Sequence, residues 1–230
     1  MGFAVVIAGA SGSGKTSVAK GLIANHPDLY SLSRSATSRP VREDDEGKNE
    51  YIFSSREEFI SKIDSGDVVE YTEYSGNLYG TPRSELERII EEGKNPVLVL
   101  DMNGVKSFKA ADLAFPVYTF YVYEHINVIE QRLYDRDLKD NPTLEAFLSF
   151  QKRKNVNIED YLKASEYSGC IDAYIRNSDL DSCISALEYC LEIFEGCEIS
   201  KDKPEGIAVS EEEKQNLASE LENQARMKLG

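Results

Sequence analysis

The chain has 230 residues, of which 41% are hydrophobic, so it is long enough and apolar enough to form a compact core with insertions. Its formal net charge of −15 argues against a nucleic-acid partner, and no stretch approaches the roughly 20 apolar residues that a membrane span needs. Because the N-terminus also lacks the basic region of a signal peptide, we expect a soluble, cytoplasmic protein with neither a nucleic-acid nor a membrane partner.

The first predicted elements are a buried strand, a glycine-rich turn and a helix. The strand is the apolar run of residues 3–8, the turn is G-A-S-G-S-G-K-T at residues 9–16, and apolar side chains at helical spacing follow. This order matches the phosphate-binding pattern G-x-x-x-x-G-K-[ST], in which glycines let backbone N–H groups form a nest and the helix dipole favours an anion. We predict a nucleoside triphosphate site in which Lys15 reaches the β- and γ-phosphates and the Thr16 hydroxyl holds Mg²⁺. The residues of this predicted ATP site are Ala10, Ser11, Gly12, Ser13, Gly14, Lys15, Thr16 and Ser17.

The next segment, residues 33–81, contains short alternating strands, which predict a small inserted domain. Arg34, Arg39 and Arg42 are concentrated there in a strongly acidic chain. Because guanidinium groups bind phosphate oxygens bidentately, the segment is a candidate for a second anion site. A solvated basic loop paired with the acidic residues 43–46 explains the same arginines equally well.

Helices and strands alternate through the rest of the core. Thr81, which a proline follows, predicts the N-cap of a helix, and a later apolar strand ends in Asp101, as a central parallel strand with a functional carboxylate would. Two more strands are predicted at residues 116–123 and 170–175, and three more helices at residues 124–137, 143–162 and 180–194. The alternation predicts a right-handed, mostly parallel sheet with helices on both faces.

The four cysteines form no C-x-x-C pair and neither histidine lies beside them, so we expect reduced thiols and no zinc site. Cys183, Cys190 and Cys197 recur every seven residues and so predict a buried stripe on a helix. Residues 198–230 form an acidic tail with a capping box at residues 210–213. This tail is predicted to be a marginal helix, packed or unpacked, or to be disordered.

Three motifs beyond the glycine loop make the sequence specific for one family. They are S-A-T-S-R-P-V-R at residues 35–42 with Tyr51 after it, E-Y-T-E-Y-S-G-N-L-Y-G-T at residues 70–81, and D-M-N-G-V at residues 101–105. The first is similar to the S-x-T-T-R-x-x-R segment of guanylate kinases and the third to their D-x-x-G-V element. Through these motifs the chain resembles the guanylate kinase family over roughly its first 195 residues, which leaves only the tail outside.

The resemblance implies an α/β fold: a P-loop kinase core with a parallel five-stranded sheet, an inserted mixed α+β GMP-binding domain and a helical lid. The implied core comprises residues 1–32, 82–125 and 154–197, the GMP-binding domain residues 33–81 and the lid residues 126–153. The implied reaction is direct, in-line transfer of phosphate from ATP to GMP, and to dGMP, with Mg²⁺ as cofactor and with the lid closing over the nucleotides. These nucleotides are the expected partners of a monomer or a homodimer.

The resemblance also assigns an acceptor site. The side chains expected to hold the 5′-phosphate of GMP are Arg39, Arg42, Tyr51 and Tyr79. The side chains expected to read the base are Ser35, Glu70, Thr81 and Asp101. Glu70 suits guanine because a carboxylate accepts from the adjacent N1–H and 2-amino donors, whereas adenine presents the reversed pattern. Ser35 and Thr81 would donate to O6, and Asp101 would contact the amino group or a metal-bound water.

On the donor side, the resemblance implies that the lid carries arginines that offset charge as the γ-phosphoryl group moves, together with Lys15 and Arg39. These lid arginines are Arg132, Arg136 and Arg153. Asn177 lies where the family contacts the ATP base, and Asp101 is a second expected metal ligand beside Thr16. The chain departs from the family after Arg136, where D-L-K-D replaces the usual continuation of R-G-T-x-[ED].

Two other functions are compatible with the same core. One is a phosphotransferase with another small acceptor, such as a different nucleotide or a sugar phosphate, and the other is a guanylate-kinase-like module that binds proteins without catalysis. The intact Lys15 loop, with Arg39, Arg42 and Tyr51, favours an enzyme. Glu70 with Thr81 favours GMP as its acceptor.

Overall fold

The protein is described by a computed structural model over residues 2–41, 51–74, 76–140, 142–197 and 202–229. The chain forms two compact units: unit 1 combines Met1–Val6 with Ile23–Val117, and unit 2 combines Ile7–Leu22 with Tyr118–Gly230. Three of the described elements are divided between the units: β1 (Ala4–Ala8), α1 (Lys15–Asn25) and β8 (Val117–Tyr123), of which only Val117 belongs to unit 1. Every residue of β1 is buried, as its apolar composition predicts.

Unit 1 contains short strands and three helices. The strands, in chain order, are β2 (Tyr30–Leu32), β3 (Ser35–Thr37), β4 (Tyr51–Phe53), β5 (Val68–Tyr74), β6 (Asn77–Pro82) and β7 (Asn95–Val99). The helices are α2 (Arg56–Asp64), α3 (Arg83–Glu91) and α4 (Met102–Ala110). Strand β2 is parallel to β7, with Tyr30 opposite Asn95, and the strand order here is β1-β7-β2.

The remaining strands of unit 1 form a separate four-stranded sheet in the order β4-β3-β6-β5. Strand β3 is parallel to β4 and antiparallel to β6, and β6 is antiparallel to β5. Phe59 of α2 is buried with Ala36, Val68 and Leu78, so this sheet has an apolar cluster of its own. Mixed strand directions packed on one helix are an α+β arrangement.

Unit 2 contains the remaining strands and helices. In chain order they are β8 (Val117–Tyr123), α5 (Ile126–Asp137), α6 (Leu144–Leu162), α7 (Ala164–Tyr167), β9 (Ala173–Arg176), α8 (Leu180–Phe194), β10 (Ile207–Ala208) and α9 (Glu211–Met227). Strand β8 is parallel to β9, β10 is antiparallel to β9, and the strand order is β10-β9-β8-β1. Among the described helices, none is both long enough and apolar enough to cross a membrane.

Three details of the predicted architecture were wrong. The larger sheet has six strands instead of five, and its β10 is antiparallel, because residues from the tail add an edge strand. Thr81 is not an N-cap: it belongs to β6, where its hydroxyl bonds to Glu70, and Pro82 is the N-cap of α3. The strand predicted from residue 170 starts only at Ala173, because a 3₁₀ turn occupies Ser168–Cys170.

The predicted cysteine stripe is only partly buried. Cys183 and Cys190 lie on the buried face of α8, and burial raises the pKa of both thiols to about 12, which keeps them protonated and unreactive. Cys197 is exposed, because α8 ends at Phe194, before the third position of the stripe. All four cysteines are free thiols, in agreement with the expectation of reduced side chains.

Residues 202–229 of the tail are an ordered part of unit 2. Helix α9 starts at Ser210 with the predicted capping box and packs against α6, and one face of it is buried. The side chains of this face are Lys214, Leu217, Ala218, Leu221, Gln224 and Ala225. Gln224 accepts a hydrogen bond from the Ile126 N–H at the start of α5 (3.0 Å), and the Lys228 ammonium lies 2.6 Å from the Glu130 carboxylate. Both apolar burial and polar contacts therefore hold the tail in place.

Replacing Leu221 with alanine should therefore destabilise the protein. Leu221 is 0% exposed, so the change removes buried methyl groups and leaves a cavity, which costs about 3 kcal/mol or more and lowers Tm by about 6–12 °C. Met227→Ala is the matched control, because Met227 lies on the same helix with 72% of its side chain exposed. Equal melting temperatures for the two variants in calorimetry would mean that α9 does not pack as described.

Candidate functional site

The glycine loop, residues 9–16, lies in unit 2 between the end of β1 and the start of α1. Gly12 and Gly14 have φ values of +89° and +95°, which L side chains rarely adopt, so the turn needs glycine at both positions. A side chain at Gly14 would also collide with the amide of Asn177. Helix α1 begins at Lys15, and the N–H groups of its first turn have no acceptors within the helix. This geometry is that of an anion-binding loop.

The Lys15 ammonium lies over the start of the loop. Its Nζ donates to the carbonyl oxygens of Gly9 (2.8 Å) and Ala10 (2.9 Å). Thr16 and Ser17 follow in the first turn of α1 and are exposed. The residues predicted for the ATP site thus form one continuous turn that carries a cation and accessible hydroxyl groups.

Asn177 directly follows β9, and its side chain bonds to the backbone of the loop. Its side-chain Nδ2 donates to the Ser13 carbonyl oxygen (2.6 Å), and its own carbonyl oxygen accepts from Arg132 Nη2 (2.9 Å). The buried amide therefore connects the loop to one of the predicted lid arginines. Its expected contact with the ATP base stays a prediction.

Asn157 was missed by the sequence analysis. It lies on α6, is 1% exposed, and bonds to both polar backbone groups of Ser11: Oδ1 accepts from the N–H and Nδ2 donates to the carbonyl oxygen, each at 2.8 Å. No local motif marks this residue, because its partner lies 146 positions earlier in the chain. Only its polar character on the buried face of a predicted helix could have indicated a role.

The other two predicted lid arginines share one carboxylate. Arg136 donates to Asp137 through Nε (2.7 Å) and Nη2 (3.2 Å), and Arg153 on α6 approaches the same carboxylate to 3.4 Å. The hydrogen bond from Arg136 lowers the pKa of Asp137, which therefore stays ionised at neutral pH. The departure from the family pattern after Arg136 thus places a negative charge between two cations.

Unit 1 contains the residues predicted to read a base. The Thr81 hydroxyl donates to Glu70 Oε1 (2.7 Å), and the Glu70 side chain, at 7% exposure, is buried. Burial raises the pKa of Glu70, the hydrogen bond from Thr81 opposes the rise, and the charge of Asp101 adds to it. Asp101 is exposed, and its Oδ1 caps α4 by accepting from the Gly104 N–H (2.8 Å). A buried carboxylate with a hydroxyl partner and a neighbouring carboxylate are therefore present in this unit.

Of the residues predicted to hold a phosphate, Tyr51 and Tyr79 lie on β4 and β6 of the same unit, and Arg39 lies two positions after the end of β3. Arg39 is 7% exposed, and its guanidinium carbon lies 4.9 Å from the centre of the Tyr51 ring and 5.1 Å from that of Phe53. Tyr51 contacts Tyr79 edge to face, with 6.3 Å between ring centres. Ser35 pairs with Tyr51 across β3 and β4. The structure thus brings the side chains of Arg39, Tyr51 and Tyr79 together, whereas Arg42 lies outside the described residues.

Arg34 does not belong with this group. It donates to the buried carboxylate of Glu85 through Nε (2.9 Å) and Nη2 (2.8 Å), and Arg88 bonds to the same carboxylate. Burial alone would raise the pKa of Glu85, but the hydrogen bonds from Arg34 and Arg88 lower it to about 2. One of the three arginines assigned to a second anion site is therefore part of a structural ion pair.

The loop geometry and the mixed α/β architecture define a P-loop nucleotide-binding protein. Comparison with known proteins identifies the family within that class. The chain belongs to the guanylate kinase family: the family model for guanylate kinase matches residues 2–193. The resemblance inferred from the motifs is thereby confirmed.

Individual relatives extend this result. The chain is 33% identical over 187 residues to the guanylate kinase of Sus scrofa, which covers 81% of this chain and 90% of the relative. It is 30% identical over 215 residues to that of Clostridium perfringens (strain SM101 / Type A), with 92% of each chain covered. The crystal structure of guanylate kinase from Anaplasma phagocytophilum has a similar fold, with a TM-score of 0.58, 22% identity, and coverage of 85% of this chain and 87% of that one.

Proposed function

We propose that the chain is a guanylate kinase that transfers the γ-phosphoryl group of ATP to GMP and dGMP, with ADP and GDP or dGDP as products. The observation that carries this proposal is the buried pair of Glu70 and Thr81. Burying a carboxylate against a hydroxyl is costly, as its raised pKa indicates. A ligand with two adjacent donors would compensate that cost, and the N1–H and 2-amino groups of guanine form such a pair.

The hydrogen bond within this pair refines the expected roles. Because the Thr81 proton is directed at Glu70, the oxygen of Thr81 is left as an acceptor for the 2-amino group, and Ser35 becomes the donor to O6. Adenine would leave these buried groups mispaired, which can discriminate between the bases by about 10⁴-fold. Because Glu70 and Thr81 would use both N–H groups of the 2-amino group, Asp101 would contact a metal-bound water instead.

The acceptor phosphate would be held by Arg39, Arg42, Tyr51 and Tyr79. The aromatic rings beside Arg39 restrict its guanidinium, so that less conformational freedom is lost when it bonds to phosphate oxygens. The GMP phosphate is itself the nucleophile and carries the negative charge that it needs. In-line transfer therefore requires alignment and neutralisation of charge, and no general base.

The donor phosphates would be held by residues 10–17. Lys15 would leave the carbonyl oxygens of the loop for the β- and γ-phosphates, and the lid arginines Arg132, Arg136 and Arg153 would offset the charge of the moving group. Magnesium prefers oxygen ligands, and the exposed Thr16 hydroxyl and Asp101 carboxylate fit that preference. When bound, Mg²⁺ neutralises phosphate charge.

A coupled assay of ADP formation with GMP, dGMP, AMP, CMP and UMP tests the proposal. We expect turnover with GMP and dGMP, and kcat/KM lower by about 10⁴-fold with AMP. A preference for AMP would overturn the assignment of Glu70 to guanine. ATP binding without turnover on any of the five acceptors would point instead to a module that binds partners without catalysis.

Replacing Arg39 with alanine should raise KM for GMP and also lower kcat. A bidentate, charge-assisted contact to the acceptor phosphate would be lost, so kcat/KM should fall by about 10- to 100-fold. Arg56→Ala is the control, because Arg56 is an exposed arginine whose ion pair with Glu73 lies on the same four-stranded sheet. Wild-type GMP kinetics in the Arg39 variant would show that the acceptor phosphate binds elsewhere.

A further inference from the structure

Helix α6 is held by two hydrogen-bonding side chains in its C-terminal half. Asn157 bonds to Ser11 as described, and one turn later the Tyr161 hydroxyl donates to the carbonyl oxygen of Glu124 (2.6 Å). Both side chains are buried, at 1% and 0% exposure, together with Ile158. The packing and the Tyr161 hydrogen bond fix this part of α6, so the Asn157 amide is held in place and can support the loop.

The loop needs such a support. Gly12 and Gly14 adopt left-handed conformations, and glycine loses more conformational freedom on ordering than other residues do. Ser11 directly precedes Gly12, and the side chain of Asn157 bonds to both the N–H and the carbonyl oxygen of Ser11. The Asn157 amide therefore fixes the backbone that leads into Gly12 before any ligand binds.

We propose that Asn157 is a positioning residue for the triphosphate of ATP. It holds the Ser11 peptide, and thus the shape of the loop, and it does not touch the nucleotide. Because the Ser11 N–H is used by Asn157, Ser11 contributes to the site through the shape of the loop and not through that N–H. This inference rests on the proposed function and deepens it, because it assigns the ordering of the donor loop to a residue outside the loop.

The placement of Asn157 also connects two parts of the donor side. Arg153 lies one turn earlier on α6, where it pairs with Asp137. A single rigid helix therefore carries both the support of the loop and a predicted lid arginine. Any shift of α6 would change the loop and the arginine together.

The test compares Asn157→Ala with Asn155→Ala. Asn155 is an exposed asparagine on the same helix, so the control matches the chemical change and the helix propensity. Calorimetry with ATP alone and steady-state kinetics with both substrates are measured. We expect the Kd and KM for ATP to rise about tenfold in the Asn157 variant, while KM for GMP stays within about twofold, because two hydrogen bonds to the loop are lost. The Asn155 variant should behave as the wild type.

Asn157→Leu repeats the test with the space filled, in case the alanine variant does not fold. An unchanged ATP affinity in a variant that still melts cooperatively would overturn the proposal, and so would an equal rise of both KM values. ATP binding is measured without an acceptor. Failure of the wild type to phosphorylate GMP would therefore refute the proposed function, while the ATP affinities of the Asn157 and Asn155 variants could still be compared.

Discussion

Replacing Lys15 with alanine should reduce kcat by about 10³-fold or more, the size of effect that a cation on the transferred phosphoryl group produces. That loss corresponds to about 4 kcal/mol of transition-state stabilisation. In the structure the ammonium donates to two loop carbonyl groups, so its removal also costs some stability, on the order of 1 kcal/mol. A domain stable by about 5 kcal/mol or more stays folded after such a loss, so the kinetic effect cannot be ascribed to unfolding.

Lys20→Ala provides the matched control for this experiment. Lys20 is an exposed lysine on the same helix, α1, so its removal changes the net charge and the helix equally. Single-turnover kinetics separate the chemical step from product release. If the Lys15 and Lys20 variants had the same kcat, the loop would not be the site of phosphoryl transfer.

Replacing Glu70 with glutamine should give a more stable protein that no longer uses GMP efficiently. The N–H groups of the glutamine amide would face the N1–H and 2-amino donors of guanine. We therefore expect kcat/KM for GMP to fall by about 10³-fold. The neutral side chain can still accept from Thr81 and avoids the burial of a charge. Activity and stability should therefore change in opposite directions, which is the trade-off expected where a functional site destabilises the fold.

The dependence on pH follows from the raised pKa of Glu70. Above the folded-state pKa the buried carboxylate is ionised and destabilises the native protein, and this cost disappears as pH falls through that pKa towards the usual value of 4.5. The advantage of the glutamine variant in Tm should thus be full at neutral pH and absent below about pH 4.5. In the wild type, kcat/KM for GMP should fall over the same acidic range, because only the ionised carboxylate accepts both guanine donors.

Glu73→Gln is the control for both readouts, because Glu73 is a half-exposed glutamate on the same strand. Its substitution should leave GMP kinetics and the pH dependence of Tm close to those of the wild type. A glutamine variant at position 70 with normal kcat/KM for GMP would show that Glu70 does not read the base.

Local signals predicted the features that depend on neighbouring residues. The glycine loop and the capping box at Ser210 have the expected geometry, because each is determined within a few positions of the chain. The prediction of Thr81 as an N-cap failed for the opposite reason, because a contact with a distant residue intervenes. A hydroxyl that favours a helix start in isolation instead bonds to Glu70, 11 positions away, and this tertiary bond outweighs the local preference.

Features that join distant segments could not be predicted from the sequence. The bond from Asn157 to Ser11 depends on how α6 packs, which no periodicity specifies. The pairing of Arg153 with Asp137 likewise depends on the geometry of two helices. Strand β10 has only two residues, which is too short for alternation to show, and its place beside β9 is determined by the fold. The candidate site was therefore predictable in its motifs, and its supporting contacts were not.

The late position of β10 and α9 in the chain has a consequence for biosynthesis. Until residues 207–225 have left the ribosome, one edge of β9 lacks its hydrogen-bonding neighbour, and the apolar surface that α9 covers is exposed to solvent. An open strand edge beside apolar surface is a site for aggregation, so the nascent chain should depend on chaperones during this interval. Once translated, a two-residue edge strand followed by a charged helix leaves little for another molecule to pair with.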